Sequence, residues 1–284
     1  MDGLIIVNKE KGYTSRDVVN IISKELGTKK IGHTGTLDPI ATGVLVVGYG
    51  QATKIFELLF QDEKEYIAEV KLGILTDTYD ITGKVLEKKD DFVINKNNLI
   101  EALNAFKGKY LQEVPIYSAV KVNGKKLYEY ARNGEKVELP KKEVEIKSIE
   151  LLSFDKDVFS FKCTVSKGTY IRSLIKDIGT YLKVPCTMTE LNRVRQGVFK
   201  IENSYTLDEI KNNNYEIISL KDALSKYKQI EVDDELRFKI INGQKLSLPY
   251  DDDILVFIYN NKVLGIYKKE NKVYKVYKVV NQKR

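Results

Sequence analysis

Residues 64–72 alternate strictly, with Tyr66, Ala68, Val70 and Leu72 on one face and Ile67, Glu69 and Lys71 on the other. That two-residue period predicts a half-buried strand. The alternation returns between Val144 and Val165 and predicts two antiparallel strands there. Apolar runs at residues 3–7 and 44–47 read as two more. A helical period takes over elsewhere. Val18, Ile21, Ile22 and Leu26 form a stripe, opened by Thr14 with Asp17 three residues on and closed by Gly27, the pattern of a capping box and a C-terminal glycine. Residues 52–60 read as a helix, and Asn95 caps another that buries Leu99, Leu103 and Phe106 ahead of Gly108. A further helix opens at residues 168–173 and runs to about Leu182. Two short helices at 206–211 and 220–224 form a connector. From Lys228 the pattern changes: a helix at 233–241, a break at Gly243, then strands at 254–259, 262–267 and 272–279.

One stretch fits neither period. Residues 30–43 hold three glycines, three threonines, Pro39, the only histidine of the chain (His33) and a single carboxylate, Asp38. A residue before proline is pushed out of the α region. The stretch therefore reads as a rigid loop presenting one acid, and such loops often carry catalytic groups. Taken alone, Asp38-Pro39 fits an Asx-turn equally well. Tyr66 reads either as a core tyrosine or as an inward-facing site residue, and Lys9 as a solvated surface lysine. Arg172 falls in the first turn of its helix, where a cation meets the unfavourable end of the dipole and calls for a carboxylate partner.

Charge narrows the class of partner. The chain carries 47 Lys and Arg against 40 Asp and Glu, a formal net charge of +7, which suits a polyanion. Residues 105–142 hold nine basic and four acidic side chains, with Tyr110, Tyr117, Tyr128 and Tyr130 interleaved; residues 228–284 hold twelve and eight. Rings that stack on bases beside ammonium groups that meet phosphates suit nucleic acid, and a solvated excursion is the plainer reading. Two cysteines argue against a disulfide framework and for a reducing cytoplasm. With one histidine and no Cys/His cluster, nothing points to a zinc site. No apolar run approaches the ~18 residues of a membrane span, and Met1-Asp2-Gly3 lacks the basic start of a signal peptide.

Longer motifs carry a resemblance. Gly-His-Thr-Gly-Thr-Leu-Asp-Pro (32–39), Ala-Thr-Gly-Val-Leu (41–45) and Gly-Gln-Ala-Thr-Lys (50–54) closely resemble the signature of the TruB family of tRNA pseudouridine synthases. Residues 3–15 resemble its first motif, with Lys9-Glu10 where the family usually has Lys-Pro. Lys64-Glu65-Tyr66, residues 76–83, Gly-Thr-Tyr-Ile-Arg (168–172) and residues 190–195 match further motifs, Asn192 standing where the family often has Arg. Residues 114–132 resemble the RNA-gripping thumb of the bacterial enzymes.

The resemblance implies Asp38 as the catalytic carboxylate, Arg172 as its partner, and Tyr66 as the ring stacked on the target base and the nearest group for proton transfer from carbon 5. It implies Tyr170 packed in the site and Leu191 as an apolar pocket wall. It gives His33 the space left in the RNA loop when the base leaves, a structural histidine being the other reading. Lys9 and the thumb residues Lys121, Lys125 and Lys126 would contact RNA. The fold implied is α/β (α+β): a mixed, largely antiparallel central sheet flanked by helices, plus a small β-rich C-terminal domain. Residues 1–227 would form the catalytic domain, with the thumb at about 110–142, and residues 228–284 a PUA-like RNA-binding domain.

The implied reaction isomerises a uridine in the T loop of tRNA, position 55, to pseudouridine, by a cytoplasmic monomer that needs no cofactor or metal and no membrane. Asp38 is compatible with attack on the sugar, attack on the base or action at the ribose 2′ position. A non-catalytic RNA chaperone would explain the basic patches but not Asp38, Tyr66 and Arg172 together. A hydrolase lacks any other placed acid, base or metal. A guide-RNA-dependent synthase shares the central motif but lacks the thumb.

Overall fold

The computed structural model describes residues 2–59 and 63–280. Strand β1 (Gly3–Lys9) is buried at all but one position. Thr14 and Asp17 close their capping box in both directions at the start of α1 (Ser15–Glu25), which ends before left-handed Gly27. β2 (Ile31–His33) pairs antiparallel with β3 (Thr42–Tyr49). His33 therefore ends a strand instead of sitting in the loop. Gly32 lies opposite Gly48, and the Phe56 ring fills the space that Cβ atoms on both would need.

Residues 52–60, which read as one helix, are divided: a 3₁₀ turn (Gly50–Ile55) precedes the single turn α2 (Phe56–Leu59), and Phe60 lies outside the described residues. The Thr53 hydroxyl donates to the Gly50 carbonyl at 2.9 Å, a local bond that favours the tighter winding. β4 (Lys64–Leu72) alternates buried and half-buried throughout. β5 (Ile74–Thr76) and β6 (Val85–Lys88) form a hairpin, and the reciprocal cap of Asn95 and Asn98 starts α3 (Lys96–Ala105).

β7 (Gly108–Glu113) leads into the basic insertion. There β8 (Lys121–Val122) and β9 (Lys125–Lys126) make a small hairpin ahead of α4 (Leu127–Asn133). β10 (Lys141–Asp155), β11 (Val158–Val165), α5 (Ile171–Leu182), β12 (Cys186–Gln196) and β13 (Phe199–Lys200) follow. α6 (Leu207–Lys211) and α7 (Leu220–Ala223) are the connector helices. The C-terminal part holds β14 (Lys228–Glu231), α8 (Asp234–Ile241), β15 (Ile254–Tyr259), β16 (Lys262–Glu270) and β17 (Val273–Val279).

The chain divides into two compact units: Met1–Asp38, Leu45–Phe60 and Glu202–Arg284 form one, Pro39–Val44 and Gln61–Ile201 the other. In the second unit, β12, β4, β11, β10 and β7 lie side by side, antiparallel throughout. Thr42 and Gly43 of β3 join β12 in parallel, so the sheet is mixed but largely antiparallel. Gly43 has φ +99°, and a Cβ there would stand 2.3 Å from both the Arg193 carbonyl oxygen and Asn192 Oδ1. Only glycine lets the two backbones come this close. Helix α5 lies against β12 and β4 and buries Ile171, Leu174, Ile175 and Ile178.

In the first unit, β1 bridges Leu4 to Ile218 and Val7 to Tyr205. The C-terminal sheet runs β14, β15, β16, β17, parallel only between the first two. Its own core gathers Ile240, Leu246, Leu255, Phe257, Leu264, Tyr267 and Tyr274. This module is bonded to the rest of its unit: Lys54 Nζ donates to the Val279 carbonyl at 2.8 Å, and Lys278 pairs with Glu57 at 3.3 Å. Among the described residues no helix is long and apolar enough to cross a membrane.

Candidate active site

In the first unit the loop that presents Asp38 is fixed from the start of α1. The Ser15 hydroxyl, in a residue 2% exposed, accepts the Leu37 N–H at 2.9 Å and donates to the Leu37 carbonyl at 3.1 Å. One side chain thus holds both backbone groups of the residue before Asp38. Leu37, Ile40 and Ala41 are buried, and Thr34 donates its N–H to the Val46 carbonyl at 2.9 Å. Asp38 itself is half-buried.

Lys9 is neither a solvated lysine nor, as the resemblance implied, a side chain that presents its ammonium to RNA. It is fully buried, and its ammonium donates to the carbonyls of Glu10 at 2.9 Å and Tyr13 at 2.7 Å. A buried cation costs several kcal/mol unless it is hydrogen-bonded. These carbonyls answer that need and shape the turn into α1.

The second unit carries Tyr66, Tyr170, Arg172 and Leu191. Tyr66, 7% exposed, lies across from Cys163 on β11 and Arg193 on β12, while Leu191 lies across from Ala68. Cross-strand partners point to the same side, so Tyr66, Leu191 and Arg193 share one face of the sheet. Arg193 had no assigned role in the sequence, yet it is 1% exposed and its Nε donates to the Val44 carbonyl at 2.7 Å. The alternation of β12 puts an arginine at an inward position, and that misfit was its only sign. Burial pushes the thiols of Cys163 and Cys186 up to about 12, so neither serves as a nucleophile at neutral pH.

Tyr170 caps α5 and Arg172 sits in its first turn. The guanidinium donates through Nη1 to the Thr78 carbonyl at 3.0 Å and through Nη2 to the Tyr117 carbonyl at 3.1 Å, with the Asp80 carboxylate 4.0 Å away. Asp80 in turn organises the polar turn before β6: Thr78 and Thr82 hydroxyls donate to its Oδ1 at 2.9 and 2.5 Å. That turn is bonded to β12 through Ile81 N–H and the Met188 carbonyl at 2.9 Å. A planar fork with several fixed donors serves such divergent acceptors better than an ammonium.

In the insertion, Lys121 is exposed and Lys125 and Lys126 are half-buried. Lys125 lies 4.7 Å from the Tyr130 ring centre, Lys126 5.3 Å from that of Tyr128, and Arg132 5.3 Å from the same ring. Tyr128 and Tyr130 thus cluster with these cations, and Lys125 also pairs with Glu135 at 2.6 Å. Among the described residues no three His, Cys, Asp or Glu side chains gather as a metal-ligating group.

The same arrangement of chain is found in solved structures. The Cbf5-Nop10-Gar1 complex and an H/ACA RNP bound to a substrate RNA each contain a chain that matches with a TM-score of 0.75 and 24% identity, over 98% of this chain and 85% of that one. The model of the TruB family pseudouridylate synthase N-terminal domain matches residues 23–171, and that of the tRNA pseudouridylate synthase B C-terminal domain matches residues 172–236. The fold is therefore that of the pseudouridylate synthases. Relatives called tRNA pseudouridine synthase B share 44% identity in Clostridium tetani, over 95% of this chain and 93% of that protein, and 45% in Lactobacillus acidophilus, over 97% of both. The chain belongs to the TruB family.

Proposed function

We propose that the protein isomerises a uridine of tRNA to pseudouridine, acting on position 55 in the T loop, with Asp38 as its catalytic carboxylate. What carries the reading is the near full-length similarity to tRNA pseudouridine synthases B, in a chain whose one loop acid follows a residue held by a dedicated hydroxyl clamp. The reaction breaks the N-glycosidic bond, turns the base and rejoins it through carbon 5. No electrons are exchanged and no group is lost.

Cleavage builds positive charge on the sugar, and an ionised carboxylate stabilises or bonds to such a centre. Asp38 supplies that carboxylate, and Arg172 is its fixed cationic partner. Tyr66 packs on the base and is the group that receives or relays the proton lost from carbon 5. Leu191 contributes the apolar wall, and Tyr170 packs in the site. A base inside a folded loop must be flipped out first, and His33 takes its place. Lys9 acts from within, by shaping the turn into α1. Lys121, Lys125 and Lys126 grip the phosphates of the T-arm, and the module from residue 228 onward is a PUA-like second contact with RNA. The enzyme works in the cytoplasm as a monomer.

Transcript tRNA incubated with the pure protein should gain one pseudouridine, in the T loop, and an isolated T-arm hairpin should react as well. Asp38→Asn should bind tRNA normally but turn over roughly 10⁴-fold more slowly, as for removal of a nucleophile. Unmodified tRNA after exhaustive incubation, or an Asp38→Asn protein of normal rate, would overturn the reading.

A further inference from the structure

Gln112 lies on β7, at the root of the basic insertion, and is 1% exposed. Its amide is fully used. Oε1 accepts the Tyr170 N–H at 2.8 Å; Nε2 donates to the Tyr170 carbonyl at 3.0 Å and to the Tyr110 hydroxyl at 2.6 Å. One side chain therefore brackets both backbone groups of the residue that opens α5. That helix has no side-chain cap of its own at this end, where its N–H groups lack partners within the helix.

Two residues further on, Arg172 answers in the opposite direction. Its Nη2 donates to the carbonyl of Tyr117, five residues beyond Gln112. The root of the insertion thus reaches the backbone of α5, and the side chain of α5 reaches the backbone of the root. The neck between them is closed by the Val114 N–H to the Pro140 carbonyl at 3.0 Å and by the pairing of Glu113 with Lys141.

We infer that Gln112 is a positioning residue, one that links the placement of the insertion (residues 114–140) to the placement of the Arg172 guanidinium. RNA held by the insertion then sets the end of α5 through this bracket. The inference rests on the proposed role of Arg172 in pseudouridine formation. The chemistry of the amide makes it specific. A primary amide offers a donor and an acceptor on one plane, whereas an ionised carboxylate in its place only accepts. Gln112→Glu would keep the bond from the Tyr170 N–H and set a carboxylate oxygen against the Tyr170 carbonyl.

The test uses the full chain and transcript tRNA, with single-turnover rates at saturating enzyme and tRNA affinity measured side by side. Gln112→Ala and Gln112→Glu should each lower the rate about tenfold or more, while affinity changes by less than about threefold. In a protein whose residues 118–136 are replaced by a short Gly linker, Gln112→Ala should add less than about a twofold further loss, the non-additivity expected of coupled positions. An equal loss in both backgrounds, or a loss confined to affinity, overturns the inference. Should Gln112→Ala fail to unfold cooperatively, Gln112→Glu decides alone: a normal rate overturns the inference, and a slow rate that adds nothing in the linker background supports it. A wild-type protein that forms no pseudouridine would instead remove the functional reading, which separates the two failures.

Discussion

Ser15 shows how much of a site can depend on one small side chain. Its hydroxyl ties the start of α1 to the loop before Asp38, and it uses both a donor and an acceptor to do so. Two such bonds contribute about 1 kcal/mol each, and the Leu37 N–H left without its partner in a buried place costs more. Ser15→Ala is therefore predicted to slow single-turnover pseudouridine formation about tenfold or more with little change in tRNA affinity. An unchanged rate would mean that buried Leu37 and Ile40 hold the loop without it. Asp177 offers a test of electrostatics. Burial raises its carboxyl above the ordinary aspartate value of 3.8, so the folded protein binds this proton more tightly than the unfolded chain. That contribution to stability is complete below the unfolded value and is lost as pH rises through the folded one. Asp177→Asn cannot titrate, so its urea midpoint relative to wild type should climb as pH rises above the ordinary aspartate value. A constant difference across that range would show that the buried carboxyl is not coupled to folding.

At the scale of elements, the contact between β3 and β12 turns on Gly43. Adding a methyl would force it against the Arg193 carbonyl and Asn192 Oδ1 in a left-handed backbone. Overpacking of this kind costs ~1–3 kcal/mol, and the unfavourable φ adds to it. Gly43→Ala should lower the thermal midpoint measurably and reduce activity beyond the loss of folded protein; a normal midpoint would show that the strands separate easily. The elements that were legible in the sequence are those whose period is strict. β4 alternates at every residue, and α1 and α3 carry reciprocal caps at the predicted residues. What was hidden depends on partners distant in sequence. The Ser15 bond spans 22 residues and that of Gln112 to Tyr170 spans 58, so no local pattern announces either. Lys9 read as a surface residue because burial of an ammonium depends on where the Glu10 and Tyr13 carbonyls turn. His33 joined a strand because two glycines opposite each other leave room for the Phe56 ring, a contact that composition alone does not reveal.

For the whole molecule, charge gives the most direct prediction. Lys262, Lys268 and Lys272 are exposed on the C-terminal module, away from its apolar core. Replacing all three by Gln should leave the single-turnover rate at saturation intact. It should lower the slope of log affinity against log salt by about 0.7–0.9 for each lysine that meets a phosphate. A slope equal to wild type would place the RNA elsewhere on the protein. Substitution is the better probe than deletion, because Lys54 and Glu57 bond to residues of β17 and deletion would strip them. Those same bonds have a consequence for synthesis. The Lys54 contact spans 225 residues, and β1 bridges residues 205 and 218. The unit that ends at Ile201 has all of its strands before the other unit has its last. At ribosomal rates of ~5–20 residues per second, β1 gains β3 beside it within seconds but waits roughly 10–40 s for residues 205 and 218. Through that interval the other edge of β1 stays open, and an unpaired strand edge is a template for pairing with another chain.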